Sequence, residues 1–181
     1  MGKRNQLRII GGKWRGRQLR FPPATDLRPT ADRIRETLFN WLGQSLDGKT
    51  CLDLFAGSGA LGIEAASRGA AHVVLVEHER VACALMRESI NKLDAANVEI
   101  RFQDAMAFLT SDSREFDVVF LDPPYRMGTL PDILDRLRSH LSPGAMVYLE
   151  AGQLPDIPPG YEIVRQSHAG RVRFLLLEFA E

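Results

Sequence analysis

The segment Asp122-Pro123-Pro124-Tyr125 combines residue types suited to gripping a planar amine. Two prolines stiffen the chain and remove two backbone N–H donors, which leaves carbonyl acceptors exposed beside the Asp122 carboxylate. An exocyclic amine on a base has two N–H donors that such an acceptor pair can hold. Holding both turns the nitrogen lone pair toward an incoming methyl group. Tyr125 adds a ring face on which a base removed from its helix or loop can stack. The bland alternative is a rigid turn. It is weakened by position, because the segment directly follows the apolar run Val118–Leu121 and lies downstream of a glycine loop.

That loop is Asp53-Leu54-Phe55-Ala56-Gly57-Ser58-Gly59-Ala60-Leu61-Gly62, in which Gly57, Gly59 and Gly62 are spaced as G-x-G-x-x-G. At a strand-to-helix turn this spacing lets the backbone bend sharply and approach a ligand beside a helix N-terminus. The next apolar run ends in Glu77, 20 residues beyond Gly57, where a carboxylate can hold ribose hydroxyls. Together these features point to an adenosine-containing cofactor. Pattern alone does not separate NAD from S-adenosylmethionine (SAM). Asp53 favours SAM, because an acid there suits a cationic amino-acid moiety and is awkward beside a pyrophosphate. Asp104, followed by Ala105, is placed either to reach an adenine edge or to cap a helix. A sulfonium methyl is already activated, so the protein mainly supplies proximity, orientation and charge stabilisation, and no general-base triad is needed.

The elements that must position these groups alternate. Apolar runs at 51–55, 72–76, 98–102, 118–121 and 145–149 are separated by helical patterns, the clearest at Ala82/Leu85/Met86/Leu93 and Leu130/Ile133/Leu134/Leu137/Leu141. That rhythm predicts an α/β fold with a parallel sheet and helices on both faces. Upstream, Thr30 is a plausible N-cap for a helix carrying Ile34, Leu38, Trp41, Leu42 and Leu46, expected to end at Gly48. Downstream, the proline-rich segment 151–160 makes a poor helix. Residues 161–166 and 172–179 then read as a closing hairpin, with an antiparallel strand at the sheet edge.

The formal net charge of zero conceals an asymmetry. Residues 1–20 hold Lys3, Arg4, Arg8, Lys13, Arg15, Arg17 and Arg20 and no acid, which points to a polyanionic partner. Within that stretch the runs on either side of Gly11-Gly12 predict a basic hairpin, with Trp14 exposed for base stacking; the rival is a structural hairpin packed on the domain with Trp14 buried. Cys51 and Cys83 form no disulfide framework, and no Cys/His cluster has zinc spacing, so a metal is not expected. No apolar stretch approaches the roughly 20 residues of a membrane span. The basic opening lacks a signal peptide's apolar run, so a reducing cytoplasm is the expected compartment.

The two motifs resemble those of class I amino-methyltransferases. Arg8–Arg17 and Leu27–Leu42, which includes Arg28, Thr30 and Arg33, narrow the resemblance to the RsmD-type 16S ribosomal RNA guanine-N2 methyltransferases. The resemblance implies a Rossmann-like, mostly parallel seven-stranded sheet with an antiparallel last strand. The chain is expected to divide into a basic hairpin extension, residues 1–29, and a catalytic domain, residues 30–181. The resemblance also implies SAM as methyl donor and a guanine N2 in small-subunit ribosomal RNA, within an assembling subunit, as acceptor. Asp53, Phe55, Gly57, Ser58, Gly59, Glu77, Asp104 and Ala105 would hold SAM. Asp122, Pro123, Pro124 and Tyr125 would hold the guanine. Lys13, Trp14, Arg15, Arg17, Arg20, Arg28 and Arg33 would meet RNA. Three other readings compete: methylation of DNA adenine or cytosine or of a protein amide, an NAD-dependent dehydrogenase, and a non-enzymatic RNA-binding assembly factor. If the hairpin binds RNA, neutralising Lys13, Arg15 and Arg17 together is expected to weaken RNA affinity across sequences. The salt dependence should flatten by about one counterion per lost contact. Affinity titrated against salt checks this, and an unchanged slope would remove these cations from the RNA surface.

Overall fold

The computed structural model of the protein describes residues 6–22, 32–124 and 130–180. Arg28, Thr30 and Tyr125 lie outside them, as does the boundary expected between residues 29 and 30.

The chain opens with a small antiparallel pair, β1 (Gln6–Arg8) and β2 (Gln18–Arg20). Seven further strands then form one sheet: β3 (Thr50–Asp53), β4 (His72–Glu77), β5 (Val98–Phe102), β6 (Phe116–Leu121), β7 (Leu141–Ala151), β8 (Tyr161–Ala169) and β9 (Val172–Phe179). Their spatial order is β5-β4-β3-β6-β7-β9-β8. The first five run parallel, and β9 is antiparallel to both its neighbours. This is the expected fold, with one correction at the end. The antiparallel last strand is not the edge; it lies between β7 and β8, and β8 forms the edge. Burial accounts for the exchange. β9 carries the four consecutive buried residues Phe174–Leu177, which suits a strand covered on both faces, whereas most of β8 is exposed.

The helices are α1 (Asp32–Leu42), α2 (Ala60–Ser67), α3 (Arg80–Leu93), α4 (Ala105–Ser111) and α5 (Leu130–Leu137). Strand alternation divides the core in two. Cys51, Val73, Leu75, Val118, Phe120 and Tyr148 face α1, α2 and α3, while Leu52, Val74, Val76, Val119 and Val147 face α4 and α5. α1 stops earlier than its periodicity predicts. Gly43 adopts φ 97°, a left-handed conformation that ends the helix, and Leu46 reaches the core from the following loop.

The hairpin also departs from expectation. Its turn is not Gly11-Gly12 alone, because residues 9–17 form a long connection between the strands. Within it Trp14 is only 6% exposed, so its ring is a core residue and no stacking platform. The connection is stitched to the end of α2. The Lys13 and Trp14 amides donate to the Ser67 carbonyl and hydroxyl at 2.8 and 3.0 Å, and the Ser67 hydroxyl donates to the Gly11 carbonyl at 2.6 Å. Gly12, at φ 74°, has no room for a side chain because a methyl would run into the Ser67 carbonyl.

The deeper anchor is Glu64, which is fully buried on α2. Its carboxylate accepts the Ile10 and Gly11 amides at 2.9 and 2.7 Å. It also pairs with Arg68 at 3.0 Å and with the fully buried Arg35 at 3.5 Å. Arg35 in turn donates to the Arg8 carbonyl at 2.9 Å. A buried charge left without its partners is costly, so Glu64→Ala is expected to destabilise the fold by about 3–5 kcal/mol. Amide exchange at Ile10 and Gly11 should accelerate with it. Chemical denaturation and exchange by NMR check both, and a loss under about 1 kcal/mol would show that the hairpin is held by its apolar contacts.

Candidate active site

The sheet order reverses at β3, whose neighbours are β4 on one side and β6 on the other. In open α/β sheets, ligands bind beyond the carboxyl ends of the strands at such a reversal. Four neighbouring strands place an acid there: Glu77 ends β4, Asp53 ends β3, Asp122 follows β6, and Glu150 lies near the end of β7. The pairing register keeps them on one face. Asp53 pairs with Leu75 and with Phe120, and Phe120 pairs with Tyr148, so the four acids each fall zero or two residues from that row.

The glycine loop is shaped by the first two of these acids. Asp53 is 2% exposed and accepts the Gly62 amide at 3.0 Å. Glu77 accepts the Gly57 amide at 2.8 Å through one oxygen and the Glu79 amide at 2.8 Å through the other. Gly57 and Gly59 adopt φ 55° and 78°, where glycine carries no steric penalty. Gly62 serves packing instead, since a methyl there would run into Leu75 beneath α2. Burial pushes the Asp53 carboxyl up to about 7, against the Gly62 amide that lowers it, with the charge of Glu77 raising it further. Phe55 and Ser58 are half-buried on the same loop.

Asp104 settles into the capping alternative, accepting the Met106 and Ala107 amides at 2.9 and 3.1 Å at the start of α4, where buried Ala105 begins the helix. An N-cap uses one side-chain oxygen, and both bonds fall on Oδ1. Asp122 and Pro123 are half-buried and Pro124 is exposed. Pro123 and Pro124 line a cleft of 460 Å³ with Glu150, Leu130 and the 151–155 segment. The basic residues Lys13, Arg15, Arg17, Arg20 and Arg33 are exposed. Arg17 also reaches the Lys92 carbonyl at 3.1 Å.

The sequence reading passed over Glu150 and Tyr148. Glu150 is 7% exposed and accepts the buried Tyr148 hydroxyl at 2.6 Å. The signal was present: Leu149-Glu150 repeats the pattern of an apolar run closed by an acid seen at Val76-Glu77, Leu52-Asp53 and Leu121-Asp122.

A family model described as conserved hypothetical protein 95 matches residues 7–178. The chain is 42% identical over 178 residues to the ribosomal RNA small subunit methyltransferase D of Escherichia coli, covering 96% of this chain and 90% of that protein. It is 34% identical over 183 residues to the protein of the same name from Haemophilus influenzae, covering 97% and 95%. The solved structure of yhhF from Escherichia coli superposes with a TM-score of 0.89 at 39% identity, covering 97% of this chain and 98% of that one.

The raised Asp53 has a consequence for stability. A carboxyl whose folded value lies above its unfolded value binds a proton more tightly in the native state. Its stabilising contribution is therefore complete below the ordinary carboxylate range and is lost as pH rises toward 7. Asp53→Asn keeps an acceptor for the Gly62 amide but does not titrate. The stability of the wild type relative to this variant is expected to fall between pH 4 and pH 7, by up to roughly 4 kcal/mol, and to level off above. Denaturation across that range checks it, and parallel pH profiles would show Asp53 ionised throughout.

Proposed function

The chain belongs to the family described as conserved hypothetical protein 95, and from that footing we propose that it methylates the N2 amine of a guanine in small-subunit ribosomal RNA with SAM as donor. The observation that carries this reading is the row of acids at the carboxyl ends of β4, β3 and β6, with the glycine loop between the first pair and Asp122-Pro123-Pro124 at its end. The donor set fits SAM. Two buried carboxylates beside glycines would repel a pyrophosphate, whereas Asp53 suits the cationic amino-acid end and Glu77 the ribose hydroxyls. Phe55, Gly57, Ser58 and Gly59 would line that binding loop. Asp104 and Ala105, at the head of α4, would bound the adenine.

When bound, SAM supplies an electrophilic methyl group. The protein's own residues hold the acceptor. Asp122 and a neighbouring backbone carbonyl accept the two N–H groups of the exocyclic amine and direct its lone pair. The carboxylate stabilises positive charge as it develops on that nitrogen, and it is placed to receive the departing proton. SAM held there would give up its methyl to the amine and leave as the neutral thioether, while Asp122 would take the proton that the amine loses. From sequence, Tyr125 would supply the stacking face.

The exposed cations of the hairpin support an RNA surface, with phosphates held by Lys13, Arg15, Arg17 and Arg20, and Arg33 joining from α1. Because the hairpin shares a buried cluster with α1 and α2, this surface is fixed relative to the cofactor loop. An assembling small subunit is the proposed setting. A reducing cytoplasm is supported by Cys51 and Cys83, both buried free thiols. Burial pushes the Cys51 thiol up to about 12, which leaves it unreactive.

Labelled methyl groups offered to undermethylated small subunits are expected to appear on the N2 of a guanine after nuclease mapping. Label confined to DNA or protein would overturn the assignment. Asp122→Ala should lose at least about 100-fold in kcat, while SAM affinity measured by calorimetry stays within about twofold. Wild-type turnover in that variant would remove Asp122 from the active site.

A further inference from the structure

The site proposed above is acidic, and its substrate is a polyanion. Glu77, Asp53, Asp122 and Glu150 lie at the carboxyl ends of β4, β3, β6 and β7, where their charges repel an approaching phosphate chain. A base can enter such a site only if cations at its rim hold the phosphates on either side. The connection between β1 and β2 is placed away from that rim. Its Lys13 amide is bonded to Ser67, the last residue of α2, and Arg17 is bonded to Lys92, near the end of α3. Both helices start beside the carboxyl ends of strands and run back along the sheet, so this connection lies toward the opposite end.

The closing hairpin does reach it. β9 is antiparallel to β7, and Ala151, the last residue of β7, lies opposite Arg173. Ala151 lines the same cleft as Pro123 and Pro124. From Arg173 the hairpin runs outward through Val172, which pairs with Ala169, to a two-residue turn, Gly170-Arg171. Gly170 begins that turn at φ 61°, the left-handed conformation that tight hairpin turns take at glycine. Arg171 thus stands two residues past the Ala151 row, about 7 Å beyond the end of β7. The turn grows from a strand whose residues Phe174–Leu177 are buried, so its cations are held in place by the core. Residues 163–177 contain Arg165, Arg171 and Arg173 and no acid. Arg171 and Arg173 are exposed and, among the described residues, make no ion pair. A guanidinium is weakly hydrated and matches a phosphate with two parallel N–H groups. We infer that the β8–β9 hairpin is a second RNA-contacting surface, in which Arg171 and Arg173 hold phosphates next to the target nucleotide, an inference that rests on the RNA reading proposed above.

The test uses the full-length protein with protein-free small-subunit RNA and with undermethylated small subunits. Arg171→Gln combined with Arg173→Gln is expected to weaken RNA affinity about 10-fold near 0.1 M salt. The slope of log affinity against log salt should fall by about 1.5, the change expected for two lost phosphate contacts. SAM affinity and thermal stability should stay at their wild-type values, since both arginines are exposed and lie off the glycine loop. Arg171→Lys combined with Arg173→Lys keeps the charges, so its salt slope should match wild type even where affinity falls. An unchanged slope in the glutamine variant overturns the inference. So does a loss of methylation confined to assembled subunits with affinity for free RNA intact, which would mean that these cations meet an acidic protein there. If the double variant loses stability, Arg171→Gln alone decides, with a slope change of about 0.7 expected and none overturning. Guanine label in the wild type with an unchanged slope sinks the role of the β8–β9 hairpin and leaves the proposed function standing. No label on any RNA sinks the proposed function, whereas the slope judges the hairpin separately.

Discussion

The Glu64 carboxylate is the constraint around which the N-terminal half is arranged. It sits in the middle of α2 with no exposure to water, and its oxygens are met by two hairpin amides and two arginines. Neither partner set would suffice alone. Two amides leave the charge uncompensated, and two arginines without the amides leave the hairpin's N–H groups unsatisfied in a buried place. The arrangement therefore closes only when the hairpin, α1 and α2 meet. α2 also begins at the glycine loop, so the element proposed to receive the cofactor is the one that anchors the basic hairpin.

A second consequence follows from the sheet order. Strands distant in sequence are adjacent in space, with β3 between β4 and β6, and β7 beside β6. Each ends near an acid on the same face. Like charges at neighbouring strand ends repel, and the structure offsets this with specific donors: the Gly62 amide at Asp53, the Gly57 and Glu79 amides at Glu77, and the Tyr148 hydroxyl at Glu150. The same hydrogen bonds shape the loop and orient the carboxylates. The contacts that fold the loop thus also orient the carboxylates proposed to meet the cofactor.

The departures from the sequence reading share a cause. Trp14 alternates with arginines and lysine as an exposed residue of a basic strand would. It is buried because Ser67 and Glu64 capture the surrounding backbone, and nothing in the local pattern announces partners more than 50 residues away. α1 ends at Gly43 although its apolar spacing continues to Leu46, since periodicity reports which side chains face the core and not whether the backbone between them stays helical. The edge position of β8 depends on which strand of the closing hairpin pairs with β7, a choice between two strands of similar length.

Local chemistry was legible from residues alone: the glycine spacing, the rigid Asp122-Pro123-Pro124 segment, the alternating strands and helices, and the cations of the first 20 residues. These depend on neighbours within a few positions, where backbone sterics and side-chain type decide the outcome. The placement of Glu77 20 residues beyond Gly57 was legible too, because one strand–helix–strand unit has nearly constant length. Only the tertiary structure decided that Glu64 ties the hairpin down, that Trp14 is core, and that β7 carries Glu150 to the same end of the sheet as Asp122. Those facts are set by which surfaces exclude water together and by the register between strands, and a carboxylate's meaning changes with the donors that the fold brings to it.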